Sequence, residues 1–400
     1  MERHETVIVG GGQAGLAMSY HLRECGKEHV LLERDRLGGK WHSERWDSLR
    51  YQFPNWSLGL PGHSYSGSDP EGFCHYSEVV EFLADYAEKI TPPAQTGVDV
   101  GSVSRSGDGF ILDTSAGPIA TDTIVVASGA FPSPRVPQFA VGLASSIQQF
   151  HSAEYRSPGQ LPPGGVLVVG SGSSGGQIAE ELLHAGREVF LSVSRHRRVP
   201  RRFLGKDMLW WFFELGWMDR SIDTFPDRKP PPAILLSGID GGHDLDVRRF
   251  GAEGMTLLGR AIAAEGSKMQ FADDLASLLA GADQACEDFL EAAAAHALQL
   301  GMEVPVSERG EPPRSASAPT EIDLEKLGIR SVIWCTGYRP AFGWIDVPVF
   351  DDGGAPIQER GATNCPGLYF LGLHWMHSFK SGALFGVGED AAHIAALIDS

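Results

Sequence analysis

Cysteine is scarce in this chain and never paired by spacing. Five cysteines occur in 400 residues, Cys25, Cys74, Cys286, Cys335 and Cys365, and no two form a C-x-x-C. That pattern excludes a redox disulfide pair and a zinc–thiolate centre, and reads as free thiols in a reducing compartment. Positive charge is in deficit as well. Lys and Arg number 33 against 51 Asp and Glu, a formal net charge of -18. A surface of that sign repels phosphate backbones and anionic lipid, so nucleic acid is not an expected partner. Long apolar runs are missing too: no uncharged apolar run reaches the ~18 residues of a transmembrane helix. Met1-Glu2-Arg3-His4-Glu5 leads into the first apolar run without a signal-peptide pattern, and the expected location is cytoplasmic. No metal is expected, because no third ligand stands at a recognisable spacing from His374 and His377.

What the chain does have is glycine in an informative order. Val7-Ile8-Val9 has the length and residue types of a buried parallel strand. Gly10, Gly12 and Gly15 follow in G-x-G-x-x-G spacing, with Gln13 and Ala14 between the last two. Ala14 to Cys25 reads as a helix stopped at Gly26, and a second strand, His29 to Leu32, ends in Glu33 with Arg34 next to it. Each part has a task in a dinucleotide site. The first glycine permits the tight turn, the second lets backbone N–H groups approach a pyrophosphate, and the third lets helix pack on strand. The helix N-terminus favours the pyrophosphate charge, and the carboxylate accepts from a ribose diol. The plainer alternative is a glycine-rich turn in some other α/β domain.

Further along, Gly38-Gly39-Lys40-Trp41 would let the backbone pass close to a ligand, and Asp47 to Gly67 is irregular and aromatic-rich. Ser77 caps a helix through Glu88, Val98 to Ala120 alternates as an antiparallel excursion, and Thr123 to Ala127 is a strand ending in Ser128-Gly129. Phe131 to Pro137 and Ser157 to Gly165 are proline-rich connectors. The opening pattern then recurs. Gly170, Gly172 and Gly175, enclosing Ser171, Ser173 and Ser174, follow the strand Val166 to Val169 and open a helix that stops at Gly186. Aligned on the glycines, Val193 stands in the place of Glu33, and Arg195, Arg197, Arg198, Arg201 and Arg202 follow. A carboxylate there would repel a 2′-phosphate, whereas guanidinium groups bind one through charge-assisted forks. The first fold therefore suits an FAD adenosine and the second suits NADPH. The aromatic segment Phe203 to Trp217 is either a core or homodimer-contact helix, or a substrate-access wall or shallow membrane contact. Ser307 to Pro319 reads as a surface loop, Val332-Ile333-Trp334 as a strand, and Gly388 to Ile398 as a closing helix. The expected class is α/β with two Rossmann-like domains, the second inserted in the first: residues 1–150 and 341–400 for FAD, and 151–340 for NADPH.

The order of these motifs resembles the class B flavoprotein monooxygenases, and within them the flavin-containing monooxygenases, including the plant auxin-forming enzymes and their bacterial relatives. The residues that carry the resemblance are the two glycine turns, Gly39-Lys40-Trp41, Ser128-Gly129, His151 and Cys335-Thr336-Gly337-Tyr338. The family's identifying sequence, F-x-G-x-x-x-H-x-x-x-[YF], keeps its His151 and Tyr155 but has Ser145 and Ile147 in the Phe and Gly places. Tyr155-Arg156 lacks the Trp that closes the Baeyer–Villiger version of the motif, which favours other oxygenations.

The resemblance implies that NADPH reduces FAD and that the flavin captures O₂ as a C4a-(hydro)peroxyflavin that oxygenates a small organic substrate. It implies that Thr336, Gly337 and Tyr338 lie near the domain junction, that the segment from Gly372 to Asp390 touches the flavin, and that Asn55 supports the oxygen adduct. The plain reading of Asn55 is a turn residue after Pro54. His151 is expected to order the connector between domains rather than to move protons. The rival function is an NADPH-dependent flavin dehydrogenase or reductase without oxygen transfer; a flavoprotein sensor would not need the second nucleotide fold.

Overall fold

The computed structural model describes residues 1–129, 133–305 and 318–399. Residues 130–132, which include the start of the first proline connector, and most of the stretch from Ser307 to Pro319, lie outside them.

The chain opens with strand β1 (Glu2–Val9), helix α1 (Gln13–Glu24) and strand β2 (His29–Glu33). Helix α2 (Tyr76–Ile90) follows the aromatic loop, then come β3 (Ala94–Thr96), β4 (Val100–Ser106), β5 (Gly109–Thr114) and β6 (Ile119–Val126). β1 is parallel to β2, with Thr6 opposite His29 and Val9 opposite Leu32, and parallel to β6 on its other side. Val7, Ile8, Leu31, Ile124 and Val125 are fully buried, as expected of strands covered on both faces. β4 and β5 form the antiparallel excursion expected from their alternation. α2 begins one residue ahead of Ser77. His75 is its N-cap, accepting from Ser77 N, while Glu78 reaches back to the His75 N–H.

A second sheet takes up the chain at β7 (Gln148–His151), followed by β8 (Gly165–Val169), α3 (Ser173–His184), β9 (Val189–Ser192), α4 (Met208–Glu214), β10 (Thr256–Leu258), α5 (Leu275–Gln299) and β11 (Ile329–Trp334). Its five strands are all parallel, in the order β7-β11-β8-β9-β10. The chain then returns to the first sheet through β12 (Ile345–Asp346), which pairs with β4, and β13 (Leu368–Phe370), which pairs with β6. Helix α6 (Val387–Asp399) closes the fold against α1. The architecture is α/β, one sheet mixed and 10-stranded, the other parallel.

α4 settles the reading of the aromatic segment. Trp211 and Phe212 are buried in the same apolar cluster as Tyr51, Phe53 and Met376, with Trp210, Phe213 and Trp217 packed against it. The segment is a core element joining residues of the second half to the first. A further tie lies close by: a Cβ on Gly238 would meet the Tyr51 carbonyl oxygen at 2.4 Å, so the backbones touch there.

Candidate functional site

A cavity of 530 Å³ runs along the carboxyl end of the first sheet, a volume in the range of nucleotide-sized sites. Gly10, Gly12, Gln13, Ala14, Glu33, Arg34, Gly39, Lys40, Trp41, Ser128, Gly129 and Gly372, each singled out from the sequence, line it. Gly15 does not. A Cβ on Gly15 would lie 1.9 Å from the Gly10 carbonyl oxygen, so this glycine serves the packing of α1 on β1. At Gly12 nothing stands within 4 Å of an added Cβ, which leaves the N-terminus of α1 open to a ligand. Glu33 accepts from the backbone N–H of Gly11 at 2.7 Å and of Asp35 at 2.9 Å, holding the turn and keeping lone pairs for a diol.

Gln13 joins three segments at the other end. Its Oε1 accepts from Trp41 Nε1 at 3.1 Å and its Nε2 donates to Gly382 O at 2.7 Å. The aromatic loop and the C-terminal segment meet there as well: Phe53 makes edge contacts with Phe379 and Phe385, at centroid distances of 6.3 and 5.5 Å. Trp375 adopts φ 53°, the left-handed region that a bulky residue rarely occupies, with Phe225 and Phe379 against its ring. Arg45, Val98, Asp99, Val100, Gly101, Trp344 and Gly382 are also in the lining. Gly382 falls in the Gly372 to Asp390 segment expected at the flavin, whereas the others carry no motif.

Asn55 is not in the lining, and its expected catalytic place is corrected by its bonds. It is buried, its Nδ2 donates to Asp69 O at 2.9 Å and its Oδ1 accepts from Cys74 N at 2.7 Å. The amide pins the 69–74 loop, which is the turn-residue reading.

The second glycine turn repeats the first. A Cβ on Gly175 would lie 1.8 Å from Gly170 O, while Gly172 is open. Ser171 is fully buried and exchanges hydrogen bonds with Ser194, so it steadies the turn from within instead of facing a ligand. Ser173 Oγ donates to Ile234 O at 3.2 Å, and Ser174 follows it in the first turn of α3. The five arginines separate clearly. Arg198 pairs with Asp246 at 2.7 Å, Arg201 with Asp207 at 2.8 Å, and Arg202 donates to the carbonyls of Gly241 and Gly242. Arg197 donates from Nε to Pro232 O at 2.8 Å, and burial, with Arg220 nearby, pushes its pKa down to about 10. Arg195 is exposed and has no protein partner among the described residues.

Thr336, Gly337 and Tyr338 stand where the chain passes between the sheets. Thr336 Oγ1 donates to Arg135 O, Tyr338 pairs with Pro134, and Gly337 O accepts from Arg135 N at 2.9 Å. His151 Nδ1 accepts from Ala153 N at 3.2 Å, which leaves the proton on Nε2, 3.1 Å from Gly337 O. Burial holds this imidazole below its ordinary pKa. Tyr155 donates to Glu181 at 2.8 Å, and Ser48 donates to the same carboxylate at 2.7 Å. The two surviving motif residues thus tie connector, helix and loop together.

The five cysteines are free, and none lines the cavity. Among the described residues no group of three or more His, Cys, Asp or Glu could hold a metal, and no helix is long and apolar enough to cross a membrane.

Comparison with known proteins adds the family. The profile of the pyridine nucleotide-disulphide oxidoreductases matches residues 7–202. An uncharacterized CzcO-like oxidoreductase of Geobacillus kaustophilus is 31% identical over 397 residues, covering 98% of this chain and 97% of its own length. The chain belongs to the CzcO-like oxidoreductases. An indole-3-pyruvate monooxygenase of Arabidopsis thaliana is 30% identical to this CzcO-like chain over 236 residues, 55% of each. A flavin-containing monooxygenase from Stenotrophomonas maltophilia shares the fold, with TM-score 0.69 and 21% identity over 100% of this chain and 98% of its own. The resemblance to class B flavoprotein monooxygenases holds, and this CzcO-like protein is a flavin-dependent oxidoreductase.

Proposed function

We propose that the chain is an NADPH- and O₂-dependent monooxygenase that carries FAD and acts on a small organic substrate. The observation that carries this reading is the paired turn: Gly12 and Gly172 each stand open at a helix N-terminus, the first with Glu33 beyond it and the second with Arg195. The 530 Å³ cavity fits a bound dinucleotide, with carboxylates at one end and an open helix terminus between. FAD, when bound, would supply the redox chemistry: acceptance of the NADPH hydride and activation of O₂, of which one atom would go to substrate and the other to water.

The chain's own part is to bind, orient and exclude water. The N-terminus of α1 takes the pyrophosphate, Glu33 the ribose, and Gln13 locks Trp41 and the Gly382 segment around the ring end. The aromatic rings of Phe53, Phe379, Phe385 and Trp375 keep the adjoining space apolar. We further propose two dinucleotide-binding domains, the second inserted in the first, returning near residue 341. The first boundary belongs ahead of Gln148, because β7 pairs with β11 in the second sheet, a few residues earlier than the sequence places it. A cytoplasmic location fits the five free thiols.

A flavin reductase without oxygen transfer remains the second reading. It is favoured by the commitment of Asn55 to the 69–74 loop, which removes that amide from the cavity. Product analysis separates the two: the proposal expects NADPH oxidation coupled to an oxygenated product, and a reductase yields none.

A further inference from the structure

The cavity wall gathers cations in a chain whose net charge is -18. Arg34, Lys40 and Arg45 all line it. Arg34 is exposed, and Lys40 lies 3.7 Å from Glu44. Arg45 is different. It is half-buried, its guanidinium lies 4.6 Å above the Trp41 ring, and its hydrogen bond goes from Nη1 to its own neighbour's carbonyl, Glu44 O, at 3.0 Å. Among the described residues no carboxylate stands within ion-pair distance of it. A partly desolvated guanidinium without an ion-paired carboxylate costs free energy that a ligand charge would recover.

The place of Arg45 along the cavity narrows which charge that is. Glu33 and Val98 are joined backbone to backbone (Val98 N donates to Glu33 O at 3.0 Å), and with Asp99 and Trp344 they form the adenosine end. The open N-terminus of α1 at Gly12 serves the pyrophosphate. Trp41 is bonded to Gln13, and Gln13 to Gly382, so the Trp41–Arg45 stack belongs to the opposite end, with Gly372 and Gly382. Stacking on Trp41 holds the planar guanidinium without using its donors.

We propose that Arg45 is the counter-charge for the reduced flavin ring, a positioning and redox-setting residue. The inference rests on the FAD reading given above. NADPH transfers a hydride to flavin N5 and leaves as NADP⁺. The electron pair delivered places negative charge on the pyrimidine edge of the ring, and no further proton need be taken up if a cation holds that edge. Arg45 therefore binds the two-electron-reduced cofactor more tightly than the oxidised one, and reduction becomes more favourable. Substrate does not enter this balance.

The test compares holoenzymes of wild type, R45Q and R45K. FAD affinity is titrated in the oxidised state, and the two-electron midpoint potential is read against reference dyes. In R45Q oxidised FAD should bind within about threefold of wild type, while the preference for reduced over oxidised FAD falls about tenfold or more. Tenfold corresponds to a midpoint about 30 mV lower for a two-electron couple. R45K, which keeps charge but not the fork, should lie between. Equal weakening of both redox states with an unchanged midpoint would assign Arg45 to the pyrophosphate and overturn the proposal, and so would an R45Q indistinguishable from wild type. If R45Q cannot hold FAD, the wild-type midpoint decides: a value at or below that of free FAD overturns the proposal. A wild type that binds no FAD sinks the cofactor reading itself, a result distinct from any of these.

Discussion

Gln13 Nε2 and the carbonyl oxygen of Gly382 are 2.7 Å apart across 369 positions of sequence. That bond, with the one from Trp41 Nε1 to Gln13 Oε1, makes a single amide the clasp of the cavity's ring end. Gln13→Leu keeps the size and removes both bonds. It should raise the dissociation constant for FAD about five- to thirtyfold, from about 1–2 kcal/mol of lost hydrogen bonding. An equilibrium titration of the deflavinated protein checks it, and an unchanged constant would show that the clasp does not bear on the cofactor.

The first glycine turn separates binding from folding. Gly12→Val adds atoms where the chain has none within 4 Å, so it should fold and fail to retain FAD. Gly15→Val drives a side chain into the Gly10 carbonyl and should lose about 3 kcal/mol or more, the scale of severe overpacking. Thermal melts of both variants beside flavin absorbance distinguish the roles. Full flavin occupancy in folded Gly12→Val would displace the site from this turn.

Cofactor choice should rest on Arg195. Arg197 is tied to Pro232 O, and Arg198, Arg201 and Arg202 are committed to carboxylates and carbonyls. Arg195→Ala should cut the NADPH-over-NADH ratio of kcat/KM about ten- to a hundredfold, the worth of one charge-assisted contact. Arg198→Ala should act on stability and leave the ratio within about threefold of wild type. The ratio measured in both variants decides, and the expectation fails if Arg195→Ala leaves it unchanged.

The junction at His151 should be acid-sensitive. Its native pKa lies below the ordinary histidine value because burial disfavours the imidazolium, and both ring nitrogens are used in the neutral form. The unfolded chain then binds the extra proton first, so stability is lost as pH falls through and below about 6.5. His151→Gln cannot take up that proton. Melting temperature followed from neutral to acid pH should fall more steeply in wild type than in His151→Gln, and parallel curves would contradict the assignment.

Local chemistry was legible in the sequence, and long-range pairing was not. Gly10, Gly12 and Gly15, their repeat 160 positions on at Gly170, Gly172 and Gly175, and the strands before each carry their own physical reasons within about thirty residues. The α/β class and part of the cavity lining, from Gly10 to Glu33, follow from them. Asn55 misled because its partners, Asp69 and Cys74, lie 14 and 19 residues away in a loop with no pattern of its own. Among the five arginines, sequence could not show which were spoken for, since Asp207, Asp246 and the carbonyls of Gly241 and Gly242 come to them only in the fold. Arg45 was missed altogether: a cation four residues after Trp41 becomes informative only once it is seen to line the cavity without an ion-paired carboxylate.

The central claim, oxygen transfer by a reduced flavin, is tested most directly by rapid mixing of the NADPH-reduced holoenzyme with O₂ while NADP⁺ is present. The account predicts a near-ultraviolet-absorbing oxygenated flavin that forms first and whose decay is hastened by an oxidisable amine or thioether. Direct return to oxidised flavin with stoichiometric H₂O₂, unaffected by NADP⁺ or by a panel of such compounds, would contradict it and leave the chain a reductase.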